Sequence, residues 1–220
     1  MKVIMASKGF TTDEMEQEVA KIVGKPASEM DIAIINESMF EIDSGRSKRW
    51  CIRELSNIEK HIGGRIDFVN VRAHSKDEIR KRLMNADLTY IVGGKQHVYA
   101  QLFHETNLVD LLKEAAENRV LMGTSAGSIV LGKQIESENF WKQKYQMSLQ
   151  EIGYPDLGFV PFNIIPHYLR EDHKEWTKEF FNAVLADNPF PVYAVTDAQA
   201  VTYVDGKIGF IGGEPDVFGK

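Results

Sequence analysis

Along the first half of the chain short apolar runs alternate with amphipathic stretches, and few folds accept that alternation. Val3 to Ala6 reads as a strand, and Thr11-Thr12-Asp13 caps a helix running to about Val23. Asp31 to Ile35 is a second apolar run, and Arg46 to His61 is helical in pattern, closed by Gly63-Gly64. Ile66 to Val71 supplies a third strand. Ser75 then opens a helix whose Asp77 and Glu78 suit the positive end of the helix dipole. Leu88 to Val92 is a fourth strand, ended by Gly93-Gly94, and a helical region from about Val98 to Asn118 precedes a fifth, Arg119 to Met122. Parallel strands need covering crossovers, so the pattern predicts an α/β fold with a mostly parallel sheet and helices on both faces.

The second half is less regular. Phe140 to Pro161, rich in aromatics, Gln and Gly, reads mainly as loop and short elements. Asp172 to Ala186 is read as a helix, because Trp176, Phe180 and Val184 recur at spacing four. Val192 to Thr196 and Ala200 to Val204 read as strands, and Asp205-Gly206 turns the chain into Lys207 to Ile211. That hairpin predicts an antiparallel C-terminal edge. No Pro/Gly/Ser-rich linker divides the chain, so residues 1–220 are read as a single domain.

Composition removes several function classes. Lys and Arg total 26 against 32 Asp and Glu, a net charge of −6, which leaves no basic surplus for a nucleic-acid backbone. No window reaches the roughly 18 consecutive apolar residues of a membrane helix. The apolar start, Met1 to Ala6, is too short for a secretory signal, so a cytoplasmic protein is expected. One cysteine, Cys51, rules out an internal disulfide framework and gives no support to a Cys-rich zinc site; placed mid-helix, it reads as a structural thiol.

The sharpest chemical signal is Gly123-Thr124-Ser125-Ala126-Gly127, a G-x-S-x-G sequence. It follows the apolar run Val120-Leu121-Met122 and precedes an apolar helical start at Ser128-Ile129-Val130. That strand–turn–helix context is what a nucleophile elbow requires: small neighbours permit a tight turn, and the amides after the serine can bind a developing oxyanion. Without the context a glycine-rich turn with an incidental serine would be the better reading. Of six histidines, His167 and His173 follow the elbow. His167 comes after the apolar run Phe162 to Pro166, at a strand exit, where catalytic groups gather in open α/β sheets. His173 lies among Arg170, Glu171, Asp172, Lys174 and Glu175 and reads as a solvated residue. A third, acidic member would orient the imidazole. Asp197 ends an apolar strand and suits that role, with Asp156 and Asp172 as alternatives. Gly93-Gly94 is a candidate second oxyanion contributor, because glycine backbone can approach a ligand closely, with a plain helix-leading turn as the alternative; neither glycine pair completes a phosphate-binding loop. The spacing of His167, Asp172 and His173 matches no metal motif, and neither a metal nor an organic cofactor is expected.

These residues resemble the peptidase E family of serine peptidases, which includes aspartyl dipeptidase and cyanophycinase. The likeness rests on Ala6-Ser7-Lys8-Gly9-Phe10, Tyr90-Ile91-Val92-Gly93-Gly94, the elbow, and Ile165-Pro166-His167-Tyr168, in that order. The resemblance implies a fold like that of class I glutamine amidotransferases, with serine replacing their cysteine. It also implies a triad mapping onto Ser125, His167 and Asp197, and oxyanion amides at Gly94 and Ala126. Two departures stand out. The family's third glycine and Asn-Thr are replaced by Lys95-Gln96-His97, and its usual triad Glu by Asp197. The expected activity is hydrolysis of short peptides, such as N-terminal Asp-X, through an acyl-enzyme. Its rivals are a small-ligand-binding protein on the same fold and an esterase or amidase acting on non-peptide substrates. No nucleic-acid or membrane partner is expected, and a homodimer is left open.

Overall fold

The computed structural model describes residues 1–40 and 48–220. Five strands, Lys2–Ala6 (β1), Ile32–Ile35 (β2), Ile66–Phe68 (β3), Leu88–Ile91 (β4) and Val120–Thr124 (β5), pair in parallel in the order β3-β2-β4-β5-β1. The next two, Asn163–Ile165 (β6) and Val192–Ala194 (β7), lie elsewhere. Ala200–Val204 (β8) and Lys207–Ile211 (β9) extend the main sheet as an antiparallel edge, with Lys2 opposite Val204 and Ala200 opposite Ile211. The resulting seven-stranded sheet is the mostly parallel α/β architecture expected from the alternation.

Period-two geometry divides the core. Val3, Met5, Ala33 and Ile35 point to one face, against Ile79 and Leu83 of Lys76–Asn85, Tyr99 and Phe103 of Gln96–Glu105, and Leu112 and Ala115 of Val109–Asn118. Ile4, Ala6, Ile32 and Ile34 point to the other, against Met15 and Val19 of Asp13–Val23 and Ile58 of Arg49–His61. With Glu37–Phe40 these helices are α1 to α6 in chain order: Asp13–Val23, Glu37–Phe40, Arg49–His61, Lys76–Asn85, Gln96–Glu105 and Val109–Asn118. After them come Ala126–Ile129 (α7), Glu138–Phe140 (α8) and Lys178–Val184 (α9). Strands buried on both faces read as unbroken apolar runs, which is why β1, β2, β4 and β5 stand out in the sequence.

A second sheet was not anticipated. Asp216–Phe218 (β10) pairs antiparallel with β7, and β7 pairs in parallel with β6. Ile165, Phe181, Val184, Phe190, Val192 and Phe218 form the core beneath this sheet. The strands expected at 162–166 and 192–196 therefore carry His167 and Asp197 on a separate, three-stranded layer.

Two helices differ from expectation. The region 98–118 is two helices, broken where Asn107 takes φ 54°, a left-handed conformation that Asn tolerates better than most residues. The stretch 172–186 is a short turn, Glu171–His173, followed by α9. Thr177 sets the start of α9 by accepting the Phe180 N–H at 3.2 Å, so Trp176 falls before the helix and stacks on His173 instead. The expected helix start at Arg46 lies outside the described residues. Among the described residues, no helix is long and apolar enough to cross a membrane.

Candidate active site

Ser125 sits where β5 turns into α7, with φ 49° and ψ −117°. A non-glycine residue in that region costs on the order of 1–3 kcal/mol, so the surroundings must enforce it. They do so from two sides. The Ser125 N–H donates to the carbonyls of Ala6 and Ser7 at 3.0 and 3.1 Å, and the Ser128 hydroxyl donates to the Ala6 carbonyl at 2.8 Å. The flanking glycines leave room for the turn: a Cβ on Gly123 would lie 2.2 Å from the Gly127 carbonyl oxygen, and one on Gly127 would lie 2.3 Å from that of Ile91. Both glycines of the G-x-S-x-G sequence are thus steric requirements.

His167 follows β6 and Pro166, itself in a left-handed conformation with φ 63°. Its Nε2 is 3.0 Å from the Ser125 Oγ, and its Nδ1 is 2.7 Å from the Asp197 Oδ1. These partners assign Nδ1–H as donor to the carboxylate and Nε2 as acceptor of the serine proton. Asp197, in the turn after β7, is held from several directions. Lys8 Nζ lies 2.6 Å from its Oδ2, Arg170 Nε 4.0 Å from the same oxygen, and the Thr11 hydroxyl donates to its backbone carbonyl at 3.1 Å. Burial pushes its carboxyl up, but the hydrogen bonds from His167 and Lys8 outweigh this and hold it well below the usual carboxylate range. The site is therefore set up with an ionised Asp197.

Ser7 links these groups. Its hydroxyl accepts the His167 backbone N–H at 2.8 Å and donates to Asp197 Oδ1 at 3.0 Å, and the residue is fully buried. At the end of β1, it locks the histidine loop to the main sheet.

Gly93 borders the nucleophile, since a Cβ there would lie 3.4 Å from the Ser125 Cβ. Its N–H donates to the carboxylate of Glu54 on α3, which also accepts the hydroxyls of Tyr90, at 3.2 Å, and Thr124. Burial raises the Glu54 carboxyl above its ordinary range despite these three donors. Gly94 lies against Ser38, with 2.5 Å between a notional Cβ and the Ser38 Oγ, so no larger residue fits. Ala126 is the first residue of α7, and its amide has no acceptor within its own helix.

The remaining residues singled out by sequence have partners of their own. Asp172 pairs with Arg170 at 2.6 Å, and His173 stacks on Trp176 at a ring separation of 3.8 Å. Asp156 is buried and takes both its short contacts from Gln96. Cys51 is buried in α3, and burial pushes its thiol up. Ser7, Lys8 and Glu54 were not singled out by role. Ser7 and Lys8 follow a strand at the same end of the sheet as the elbow, and that placement was their available signal. Among the described residues, no group of three or more His, Cys, Asp or Glu could hold a metal ion.

An open α/β sheet with a strained serine elbow at a strand end, and a histidine and carboxylate beside it, is the arrangement that serine hydrolysis requires. Residues 44–211 match Peptidase family S51, and the chain belongs to that family. It is 30% identical over 156 residues to peptidase E of Streptomyces coelicolor, an alignment covering 67% of this chain and 61% of that one. It is 29% identical over 146 residues to a Drosophila melanogaster protein named "Probable alpha-aspartyl dipeptidase", covering 63% and 59%. The chain thus spans about three fifths of the length of these two relatives. In fold it resembles a Listeria monocytogenes protein (TM-score 0.70, 17% identity, 95% of this chain and 96% of that one). It likewise resembles a peptidase from an acI-B1 Actinobacterium (TM-score 0.64, 16% identity, 100% and 87%).

Proposed function

We propose that the protein is a serine peptidase that hydrolyses short peptides, with Ser125 as nucleophile, His167 as base and Asp197 as the carboxylate that orients it. The observation that carries this reading is the hydrogen-bonded line from Asp197 Oδ1 through His167 to Ser125 Oγ, 2.7 and 3.0 Å long. Both distances lie within the range needed for proton transfer and for fixing a tautomer. Family membership supports it independently.

Ser125 Oγ attacks the scissile carbonyl carbon as its proton passes to His167 Nε2. The imidazolium so formed is stabilised by ionised Asp197, and the carbonyl oxygen, now negative, is bound by the amides of Gly94 and Ala126. Collapse breaks the C–N bond, and His167 returns the proton to the departing amine. A water then gives its proton to His167 and attacks the acyl carbon, which regenerates Ser125 and releases the new carboxylate. The proposed substrates are dipeptides of the Asp-X type, because a curated relative carries the name alpha-aspartyl dipeptidase. A dipeptide library incubated with the protein and with Ser125→Ala, read by mass spectrometry, tests both parts. Selective loss of Asp-X members with wild type alone supports the reading. Unaltered hydrolysis by Ser125→Ala overturns the mechanism, and turnover of aminoacyl esters without any dipeptide turnover favours an esterase.

A further inference from the structure

The loop that carries Gly94 is pinned by side chains from three different parts of the fold. Glu54 takes the Gly93 N–H. Ser38 accepts the Lys95 N–H at 2.7 Å and donates to the Lys95 carbonyl at 3.1 Å. The third anchor is Asp156, whose two carboxylate oxygens lie 2.5 and 2.6 Å from the Gln96 side-chain nitrogen. Gln96 is the first residue of α5, two positions after Gly94, and the Lys95 side chain does not cap that helix.

Asp156 also reaches the other two reacting segments. Its Oδ2 is 3.5 Å from the side-chain nitrogen of Asn163. That nitrogen donates to the carbonyls of Ile129, at the end of α7, and Lys133, at 3.2 and 2.8 Å. Asn163 opens β6, the strand that leads to His167, and Gly132 packs so closely that a Cβ there would lie 2.6 Å from the Asn163 Cγ. One buried carboxylate, 8% exposed, is therefore in contact with groups joined to the Gly94 loop, the elbow helix and the histidine strand.

We propose that Asp156 is a positioning residue that holds the Gly94 amide at the nucleophile through Gln96 and couples that loop to the strand bearing His167. The inference rests on the peptidase reading above. The groups facing Asp156 are neutral amides: Gln96 from α5, Asn163 from β6, and Gln134, whose Oε1 accepts the Asp156 backbone N–H at 3.1 Å. Nearby, His104 of α5 bonds the Pro155 carbonyl, and the Lys133 ammonium lies toward Glu136 at 3.6 Å. Burial without a cation pushes the Asp156 carboxyl up to about 7, against the pull of the Gln96 and Asn163 donors. The ionised form offers both oxygens to Gln96, and protonation converts one to a hydroxyl, so the clamp is tightest above that pH.

The test follows the rate at which a short-chain fluorophosphonate labels the protein between pH 5 and 9. In that reaction the Ser125 oxygen bonds to phosphorus, fluoride leaves, and the serine proton passes to His167, with the phosphoryl oxygen in the oxyanion site. Gln96→Ala and Asp156→Asn are compared with wild type, and Ser125→Ala gives the background. The expected result at pH 8 is slowing by about tenfold for each variant, less than the ~10²–10³ of deleting an oxyanion donor outright. The ratio of wild type to Asp156→Asn should fall toward unity below pH 6, a pH dependence that a merely structural role would not produce. Folding of each variant is checked by its melting temperature, and Gln96→Ala keeps the test decisive if Asp156→Asn fails to fold. Either folded variant within twofold of wild type at pH 8, or a ratio flat across the range, overturns the positioning role alone. Failure of wild type to label overturns the peptidase reading and this inference with it.

Discussion

The elbow and the histidine arm reach the same point of the molecule by different physics. The elbow is built by exclusion: Gly123 and Gly127 are the residues whose missing Cβ atoms let β5, β4 and α7 close around a strained Ser125. The arm is built by attraction. His167 and Asp197 leave a separate small sheet, and Ser7, Lys8 and Thr11 draw them onto the end of β1. Steric construction fixes the nucleophile's position independently of charge, whereas the arm depends on hydrogen bonds and ionisation. Substitutions in the two regions should therefore fail in different ways.

The largest effect is expected in the arm. Asp197→Asn removes the charge that stabilises the imidazolium and favours the wrong tautomer, which costs about 10⁴ in turnover in a serine protease. Its melting temperature at neutral pH should fall only modestly, and Asp197→Glu should retain more activity than Asn. Near-normal turnover of the Asn variant, measured on the best library dipeptide, would remove Asp197 from the mechanism. Because its folded carboxyl is depressed, the stabilisation Asp197 provides is present above its unfolded value of about 4 and lost as pH falls below it. Ser7→Ala should come next, with about a tenfold loss in kcat, since the three contacts of its hydroxyl to the arm disappear while Lys8 still holds Asp197.

In the elbow the failure should appear first as stability. A Cβ on Gly127 must displace the backbone at Ile91, so Gly127→Ala is expected to cost about 1–3 kcal/mol and to lower the melting temperature by several degrees. An unchanged melting temperature would show that the elbow has slack. Asp156 supplies a test with the opposite pH sense to Asp197. Its raised carboxyl means that the folded state binds more protons than the unfolded one between about 4 and 7, so stability falls as pH rises through that window. The melting temperature of wild type relative to Asp156→Asn should therefore decline from pH 4 to pH 8. The smallest effect is expected at His173, whose ring stacks on Trp176: His173→Gln should leave turnover within about twofold.

The contrast also explains what could be read in advance. The strands β1, β2, β4 and β5 are apolar along their whole length because both faces are covered, and the elbow is written in glycines because no other residue fits. The arm leaves weaker traces. His167 was distinguishable by its place after an apolar run, but Asp197 stood beside Asp156 and Asp172, because the bonds that set it apart join residues as far apart as Ser7 and Asp197. Glu54 sits mid-helix in an ordinary amphipathic pattern, and its burial against Tyr90 and Thr124 follows from how α3 lies on the sheet. The small sheet escapes the pattern for a related reason: its strands are three residues each, and β10, after Gly212-Gly213, has only Val217 and Phe218, too few to show a period. Spacing alone misplaces the start of α9 because Trp176 shares a period with Phe180 and Val184 without sharing their helix, a boundary set by the Thr177 cap.

The central claim is that Ser125 is a nucleophile activated by His167, and peptide mapping of a phosphonate adduct tests it most directly. Wild type treated with an activated phosphonate at pH 8 should carry one adduct, on the peptide containing Ser125, and His167→Gln should carry almost none over the same time. An adduct on another residue, or equal labelling of Ser125 in the His167→Gln protein, would contradict the account.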